Sequence, residues 1–398
     1  MQDSLSYFLV ALALLLAIPV SVFFTEVIAS ITLPQRDYIG LPSSEHREPV
    51  AILVPAHNES ASLLRTIADI RSQMRGFDRL LVVADNCTDD AEAVALAAGA
   101  EVISRNDPER RGKGYALHYG LDHLSAVPPK VVIFVDADCR LAHQAIDQLA
   151  MVCAATKRPV QALYLMKTPD GSPRWRVAEF AWRVKNWVRP LGLGALGLPC
   201  QLMGTGMAFP WDAIRSVNLA SGEIVEDLKL GVDLALTGNL PLFCPSTIVT
   251  SDFPTSAEGI QSQRVRWEHG HIAMIFATTP RLIYTGIARR NVSLLAMAFD
   301  LAVPPLSLLA MLVMCMFSLA AFAAWFGMSW AAAAICTAIL AEFVVGILVC
   351  WLRYGRDILP VGVVLSMVPY AVRKLPIYRQ LFSRKSSLQW VRTDRRKS

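Results

Sequence analysis

The sequence feature that most constrains the fold is an apolar run of strand length that ends in two carboxylates, VVIFVDADCR at residues 131–140. β-Branched and aromatic residues follow one another from Val131 to Val135 without polar alternation, which predicts a strand buried on both faces. In open α/β sheets, ligands bind at the carboxyl ends of such strands. Asp136 and Asp138 follow directly, and their carboxylates offer oxygen ligands to Mg²⁺ or Mn²⁺. A plain strand-end turn can carry the same triplet, so the other motifs decide between these interpretations.

Strands and helices alternate regularly after the N-terminal apolar run. The predicted strands are Val50–Val54, Leu80–Ala84, Glu101–Ser104, Val131–Val135 and Val160–Met166. This alternation predicts an α/β fold with a parallel, doubly wound sheet and right-handed crossovers. Pro55, Asp85 and Asp136, at three of the strand ends, would then lie along one edge of the sheet. With Glu59 and Asp138 they would border a single crevice suited to a nucleotide.

A basic loop, RNDPERRGKG at residues 105–114, follows the third predicted strand. It is not a P-loop, because Asp107 and Gly114 stand where that motif needs glycine and serine or threonine. One interpretation is a flexible loop near a nucleotide diphosphate, with Arg110, Arg111 and Lys113 as candidate phosphate contacts. The other is a solvated charged loop before a helix.

Two further motifs lie downstream. Gly204-Thr205-Gly206 ends a glycine-rich apolar stretch, where missing side chains would let a substrate approach the backbone closely. Glu226 and Asp227 open a helix predicted by apolar spacing. Acids in a first turn are favoured by the helix dipole whether or not they are catalytic, so both interpretations of this pair stay open.

Apolar runs at both ends of the chain predict membrane-spanning helices, and hydrophobic residues make up 54% of the sequence. Leu5–Phe24 is long enough to cross a bilayer. A cleaved signal peptide is disfavoured, because Asp3 and no basic residue precedes the run and no small-residue cleavage pattern follows it. Ser307–Phe326 and Ser329–Trp351 can each span, whereas Ile358–Val372 is short, holds two prolines and suits a re-entrant segment.

The basic residues set the expected orientation. The segment from Arg373 to Lys397 carries nine Lys or Arg against one acid, which predicts a cytoplasmic C-terminus. Three crossings then place the N-terminus outside and the central α/β region inside, in a multi-pass protein of the cytoplasmic (inner) membrane. The expected domains are 1–33 (anchor), 48–258 (α/β domain), 259–290 (amphipathic interface helix), 291–375 (transmembrane and re-entrant segments) and 376–398 (basic cytoplasmic tail).

The charge pattern favours membrane lipids over nucleic acid, so membrane lipids and no nucleic acid are expected as partners. The net charge is only +5, and the basic residues of Arg174–Arg189 interleave with tryptophans, as in a helix at a membrane interface. The eight cysteines are scattered without metal-binding spacing. They are expected to be buried and unpaired.

Several motifs, in order, resemble those of family 2 glycosyltransferases of the GT-A fold, in the membrane-bound branch with cellulose, chitin and hyaluronan synthases and ceramide glucosyltransferase. PAHNE at residues 55–59 resembles the family's P-A-Y-N-E opening, with His57 in place of Tyr. Asp85 resembles the second acid of the V-D-D-x-S-x-D turn. Asp136-Ala137-Asp138 is similar to the metal-binding DxD, and QRVRW at residues 263–267 fits QxxRW.

The resemblance implies an inverting transfer of a sugar from a nucleotide-diphospho-sugar, most often a UDP-sugar. Glu226-Asp227 resembles the family's T-E-D motif, with Val225 in place of Thr. It implies Asp227 as the general base, with Glu226 beside it. Asp138, helped by Asp136, is implied to hold Mg²⁺ or Mn²⁺ against the diphosphate.

The remaining site assignments follow from these motifs and from the basic loop. The candidate donor contacts are Pro55, Glu59, Asp85, Lys113, Asp136, Gln263, Arg266 and Trp267. The candidate acceptor contacts are Gly204, Thr205, Gly206 and Trp267. Glu59 and Asp85 are implied to hold the base and ribose, and the Arg266 guanidinium can grip phosphate oxygens bidentately.

The acceptor is left open by the sequence. A lipid-linked or polymeric saccharide, in exopolysaccharide or cell-envelope glycan synthesis, is the first expectation, and QxxRW leans toward a processive synthase. A glycolipid synthase acting on ceramide, diacylglycerol or a hopanoid is equally compatible with three spans. A non-catalytic nucleotide-binding membrane scaffold is disfavoured, because few ionisable residues interrupt the apolar segments. The donor sugar and the oligomeric state are not specified.

Overall fold

The computed structural model describes residues 2–35, 47–168, 172–223, 225–253, 257–328, 330–364, 374–375 and 377–378. The chain divides into two compact units. Of the described residues, those within 47–168 and 199–270 form the sheet unit, and those within 2–35, 172–198 and 271–378 form the helical unit. Residues 170–198, which the sequence-based boundaries include in the 48–258 domain, group with the apolar helices.

One mixed sheet of eight strands forms the frame of the sheet unit. The strands are β1 (Val50–Ala56), β2 (Arg79–Asp85), β3 (Glu101–Arg105), β4 (Val131–Phe134), β5 (Arg140–Leu141), β6 (Val160–Lys167), β7 (Met207–Pro210) and β8 (Leu242–Asp252). Their order is β3-β2-β1-β4-β7-β6-β8-β5. The adjacent strands β3, β2, β1 and β4 are parallel, as predicted.

The prediction of a wholly parallel sheet is corrected by three strands that the sequence patterns did not identify. β7 runs antiparallel to β4 and β6, and β5 runs antiparallel to β8. β5 and β7 are only two and four residues long, too short to show a clear apolar period. β8 pairs in parallel with β6 through a register shift, which breaks its strand pattern.

The helices are α1 (Gln2–Thr32), α2 (Ser60–Arg71), α3 (Ala91–Ala97), α4 (Lys113–Leu124), α5 (Ala145–Thr156), α6 (Pro173–Arg183), α7 (Arg189–Ala195), α8 (Trp211–Arg215), α9 (Glu226–Leu236), α10 (Ala257–Ala288), α11 (Val292–Ala302), α12 (Leu306–Trp325), α13 (Trp330–Tyr354) and α14 (Val361–Val364). A π-helical segment, Val184–Val188, joins α6 to α7. The acidic pair opens α9, as its apolar spacing predicted.

Strands and α4 share an apolar core in the sheet unit. Leu53 and Phe134 belong to the same buried cluster as Leu117 and Leu121 of α4. The Phe134 ring lies 4.9 Å from that of Phe209 on β7, centroid to centroid. Burying a side chain of this size contributes about 1.5–3 kcal/mol. This packing fixes the strand ends and the start of α4 on one frame.

Three helices in the described part of the chain are long and apolar enough to cross a membrane, Asp3–Thr32, Leu306–Trp325 and Trp330–Tyr354. They coincide with the three predicted crossings. The predicted re-entrant segment is described only as far as Val364, at the end of α14. Its remaining residues and nearly all of the basic tail lie outside the described residues.

Exposed aromatic side chains mark the ends of these helices. Tyr7 and Phe8 are exposed near the start of α1, and Trp325, Phe326 and Trp330 are exposed at the turn between α12 and α13. Aromatic rings at helix ends are typical of the boundary between a bilayer and water. The aromatic residues thus agree with the hydropathy of the helices.

One buried ion cluster joins three helices of the helical unit. Arg189, the first residue of α7, donates from Nε to Glu26 Oε2 at 2.6 Å and from Nη2 to Asp300 Oδ1 at 2.5 Å. Arg189 also donates to the Asp300 carbonyl at 2.8 Å. All three side chains are at most 8% exposed. We call these three residues the Arg189 cluster.

Candidate active site

The two aspartates of the DxD motif lie directly beyond β4. The potential ligand atoms of Asp136, Asp138 and Cys139 all lie within 4.8 Å of one another. The Cys139 thiol donates to Asp138 Oδ1 at 3.5 Å, and burial raises its pKa well above the ordinary value. A neutral thiol is a poor ligand for a hard cation, whereas carboxylates suit Mg²⁺ or Mn²⁺. The donor set therefore fits a divalent cation held by Asp138 and Asp136.

The Gly204-Thr205-Gly206 loop reaches Asp136 because β7 pairs antiparallel with β4. Phe134 and Met207 are register partners, so the chain entering β7 meets the chain leaving β4. The Asp136 N–H donates to the Thr205 hydroxyl at 3.0 Å. A hydrogen bond thus joins the candidate acceptor loop to the candidate metal site.

A buried glutamine on β6 fixes the shape of this loop. Gln161 donates to the Thr205 carbonyl at 2.9 Å and accepts from the Met203 N–H at 2.7 Å. Gly204 and Gly206 have φ angles of +96° and +63°, which residues with a side chain rarely adopt. A Cβ on Gly206 would also lie 2.7 Å from a Val249 methyl carbon. The backbone conformation therefore requires glycine at positions 204 and 206.

Lys113, the first residue of α4, extends into the same cleft. Its Nζ lies 2.5 Å from Asp136 Oδ1, 2.7 Å from the Gly204 carbonyl oxygen and 3.8 Å from Glu226 Oε1. Burial alone would lower the pKa of Lys113, but the charges of Asp136 and Glu226 outweigh it and raise that pKa above the ordinary value. The ammonium therefore lies between the two acidic motifs.

Glu226 and Asp227 face the cleft from the first turn of α9. A Cβ built on Gly204 would lie 3.5 Å from Asp227 Oδ2 and 3.7 Å from the Lys113 Nζ, so both groups lie close to this glycine. Lys113, Glu226 and Asp227 also line one cavity of the sheet unit. Asp227 Oδ1 accepts from the Leu228 N–H at 2.9 Å. Burial raises the pKa of Glu226 to about 7, against the lowering effect of Lys113.

α10 brings Arg266 of the QxxRW motif near Glu226 of the acidic pair. A Cβ on Gly270 would lie 2.7 Å from a Val225 methyl carbon, so α10 packs closely against the residue before α9. Arg266, one turn earlier on the same face, interacts electrostatically with Glu226 while burial lowers its pKa. Gln263 is buried and Trp267 is partly exposed. Arg266 is the second cation beside the acids.

The ends of β1 and β2 form a separate group at the same edge of the sheet. Pro55 pairs with Val83 in the β1–β2 register, and the His57 Nδ1 lies 2.7 Å from the Asp85 carbonyl oxygen. Glu59 directly precedes α2, and its charge contributes to raising the pKa values of Cys87 and Cys139. The Glu59 carboxylate is therefore near enough to the thiols of Cys87 and Cys139 to interact with both.

Two residues at this edge were not among the sequence-based candidates. Arg105 donates from Nη1 to Asp85 Oδ1 at 2.6 Å and stacks over Tyr115. Asn58, with a φ angle of +56°, accepts from the Thr88 N–H at 2.6 Å. Arg105 ends β3, the neighbour of β2, so extending the strand-end argument to the third strand would have found it.

Three comparisons place this geometry among known proteins. Residues 46–270, more than half of the chain, match the family described as "Glycosyltransferase like family 2". A glucosyl-3-phosphoglycerate synthase of Mycobacterium tuberculosis (strain CDC 1551 / Oshkosh) is 35% identical over 104 residues, which are 25% of this chain and 31% of that protein. An uncharacterized glycosyltransferase of Mycobacterium bovis is 32% identical over 124 residues, 29% of this chain and 52% of that protein. The matches thus span about a third and about half of these relatives.

A solved structure extends the fold comparison over nearly the whole chain. The mannosyltransferase PcManGT from Pyrobaculum calidifontis, in complex with GDP-Man and Mn²⁺, has a TM-score of 0.55 and 17% identity and covers 92% of this chain and 98% of that one. At this identity the likeness concerns the fold, and it confirms the expected α/β GT-A class. By the family match over residues 46–270, the chain belongs to glycosyltransferase family 2.

Proposed function

We propose that the protein transfers a sugar, with inversion, from a nucleotide-diphospho-sugar to a hydroxyl of a membrane-associated acceptor. The observation that carries this proposal is the position of Lys113, whose ammonium contacts Asp136 at 2.5 Å and approaches Glu226 to 3.8 Å. This position brings the diphosphate-side acids and the acceptor-side acids into one cleft. A sugar bound between them has a candidate base on one side and a leaving diphosphate on the other.

Asp227 is the proposed general base. Its side chain lines a cavity together with Lys113 and Glu226, which is the proposed place of the acceptor hydroxyl. Asp227 takes the proton of that hydroxyl while its oxygen attacks the anomeric carbon from the face opposite the diphosphate. The bond to the diphosphate breaks as the new glycosidic bond forms, which inverts the configuration at that carbon. Oδ1, held by the Leu228 N–H, keeps the carboxylate oriented.

Basic groups of the chain offset the charge of the leaving diphosphate. Arg266 is the proposed diphosphate contact, since a guanidinium can bind two phosphate oxygens at once. Asp138 and Asp136 would hold Mg²⁺ or Mn²⁺, which supplies positive charge beside the leaving group. PcManGT, whose fold is similar, was solved with GDP-Man and Mn²⁺, which supports a nucleotide sugar and a divalent cation. A uridine nucleotide is our first expectation.

The candidate membrane helices favour a lipid-borne acceptor. Three helices of spanning length would anchor the catalytic unit at a membrane, so a lipid-linked or growing polymeric saccharide is the proposed acceptor and the synthase branch the proposed subfamily. The catalytic unit would then lie on the cytoplasmic side. A glycolipid synthase acting on ceramide, diacylglycerol or a hopanoid is the second candidate, favoured by the same helices.

The test is a screen of nucleotide sugars with the full-length protein in nanodiscs. We expect release of nucleoside diphosphate that requires Mn²⁺ or Mg²⁺, stops with EDTA and increases with a lipid-linked saccharide. Parallel reactions with ceramide or diacylglycerol, and with 3-phosphoglycerate, distinguish the alternative acceptors. Product anomers read by NMR test inversion. Activity that persists undiminished in EDTA would refute the metal assignment, and a preference for 3-phosphoglycerate would refute the membrane acceptor.

A further inference from the structure

Lys113 was a candidate phosphate contact in the sequence, but its observed contacts are carboxylate and carbonyl oxygens. An ammonium has three donors, and Asp136 and the Gly204 carbonyl take two of them at 2.5 and 2.7 Å. The side chain is only 19% exposed. Lys113 therefore faces the acids of the site instead of bulk solvent.

The two glycines around Lys113 explain how the backbone delivers it there. Gly112 has a φ angle of +133°, and a Cβ on Gly114 would lie 2.5 Å from the Leu219 carbonyl oxygen and 2.9 Å from that of Ser221. Only glycine lets the start of α4 press against residues 219–221, the segment that leads to α9. The two glycines of the GKG sequence thus allow the close packing that fixes the position of Lys113 relative to Glu226 and Asp227.

The charges around Glu226 show what Lys113 does for the pair. Glu226 is faced by Lys113 from α4, by Asp136 from the end of β4, by Asp227 on its own helix and by Arg266 from α10. Lys113 is the cation shared by Glu226 and Asp136. Without it, three carboxylates would share a partly buried cleft with Arg266 as the remaining cation among these groups, which favours proton uptake.

We propose that Lys113 is a positioning residue that couples the two acidic motifs, a role that rests on the proposed transferase activity. Its ammonium orients Asp136 through a direct ion pair at 2.5 Å and, from 3.8 Å, favours the charged form of the Glu226 carboxylate beside the proposed base Asp227. In this role it acts through the carboxylates, and it is not the principal phosphate contact.

The test compares Lys113→Gln, which keeps a donor for Gly204 and loses the charge, with Lys113→Arg. Lys130→Gln is the matched control, because Lys130 precedes β4 at its opposite end and pairs with Glu48 at the surface. We expect the acidic limb of the kcat/KM profile to move up by roughly 1–2 pH units in K113Q. K113R should restore most of this shift, and K130Q should leave the profile unchanged. Nucleoside diphosphate binding by calorimetry should weaken less than kcat falls.

Infrared titration provides a readout that does not require turnover. The protonated-carboxyl band that is absent from Glu226→Gln should titrate at higher pH in K113Q than in the natural protein. An unmoved band and pH profile, with the activity loss matched by weaker nucleotide binding, would overturn the proposal in favour of a phosphate contact. Absence of transfer by the natural protein would refute the proposed function instead, and the infrared comparison would still decide the electrostatic role of Lys113.

Discussion

The Arg189 cluster of the helical unit and the candidate cleft of the sheet unit each place a cation between acidic side chains, but the two arrangements differ in how the cation is used. In the Arg189 cluster, the guanidinium bonds to Glu26 at 2.6 Å and Asp300 at 2.5 Å, and the side chains are at most 8% exposed. In the active-site cleft, Lys113 bonds to Asp136 at 2.5 Å but stays 3.8 Å from Glu226, with side chains 19–31% exposed.

The difference in pairing and exposure indicates two roles. The Arg189 cluster stabilises the fold, whereas the groups around Lys113 are expected to take part in the reaction. The Arg189 guanidinium bonds to Glu26 and to Asp300 with all three side chains at most 8% exposed, so this cluster joins helices α1, α7 and α11. We call Lys113, Asp136 and Glu226 the Lys113 cluster. Its Lys113–Glu226 contact stays long at 3.8 Å, and its two carboxylates share one ammonium, so its charges are balanced only in part. Partly satisfied polar clusters cost stability, and they are found where a substrate completes the interactions.

Asp227→Asn is the change with the largest expected effect on the cleft. It keeps the size and the Leu228 contact of the side chain and removes its basicity. We expect transfer to fall about 10²–10⁴-fold while nucleotide binding, measured by calorimetry, stays near that of the natural protein.

Asp233→Asn is the matched control for this change. Asp233 lies on the same helix and pairs with Lys229 at 2.5 Å, so its loss should cost at most a few-fold in rate. Equal turnover by D227N and D233N would contradict the assignment of the base.

Arg189→Leu should have the largest effect on stability. It leaves Glu26 and Asp300 buried without their cation, and breaking a buried ion pair in this way costs about 3–5 kcal/mol. Thermal unfolding in detergent should show a clear drop in Tm. Adding Glu26→Gln and Asp300→Asn should recover part of it, because no buried charge then remains. A mutant that unfolds like the natural protein would show that the cluster is not structural.

Asp138→Asn tests whether the candidate metal site beyond β4 binds a cation. We expect Mn²⁺ affinity, followed by electron paramagnetic resonance, to fall about 10–100-fold. Asp69→Asn is the control, since Asp69 pairs with Arg140 beyond β4 but outside the cleft. Unchanged Mn²⁺ binding by D138N would remove this residue from the candidate metal site.

The sequence predicted those features that depend on short-range patterns. The buried run at Val131–Phe134, the strand ends beside Pro55 and Asp85, and the acidic first turn of α9 were all accessible to periodicity and spacing. The three apolar helices were equally clear, because each is long and nearly free of charge. Motif order then indicated the family.

The features it missed depend on contacts between distant segments. β7 is four residues long, and only its pairing with β4 reveals why Gly204-Thr205-Gly206 lies beside Asp136. Gln161, Arg105 and the partners of Lys113 are likewise set by tertiary packing. No local pattern encodes that a Cβ on Gly114 would strike the Leu219 carbonyl.

The pH dependence set by Glu226 is the smallest expected effect. It also tests most directly how the two clusters differ in the balance of their charges. Burial raises its pKa from 4.5 to about 7, so in the folded protein Glu226 is protonated below that pH and ionised above it. The ion pairs to Lys113 and Arg266 need the ionised form. We therefore expect kcat/KM to rise about tenfold per unit below pH 7 and to level off above it.

The same shift has a consequence for stability, since the unfolded chain loses this proton near pH 4.5 and the folded chain near pH 7. Glu226 should therefore lower the free energy of unfolding as the pH rises between these values.

Glu226→Gln should abolish both the inflection near pH 7 and this loss of stability, whereas Glu223→Gln, at an exposed acid in the same segment, should leave both in place. An inflection that survives in E226Q would assign the titration to another group, and Glu226 would then not be the acid that sets the pH dependence of the cleft.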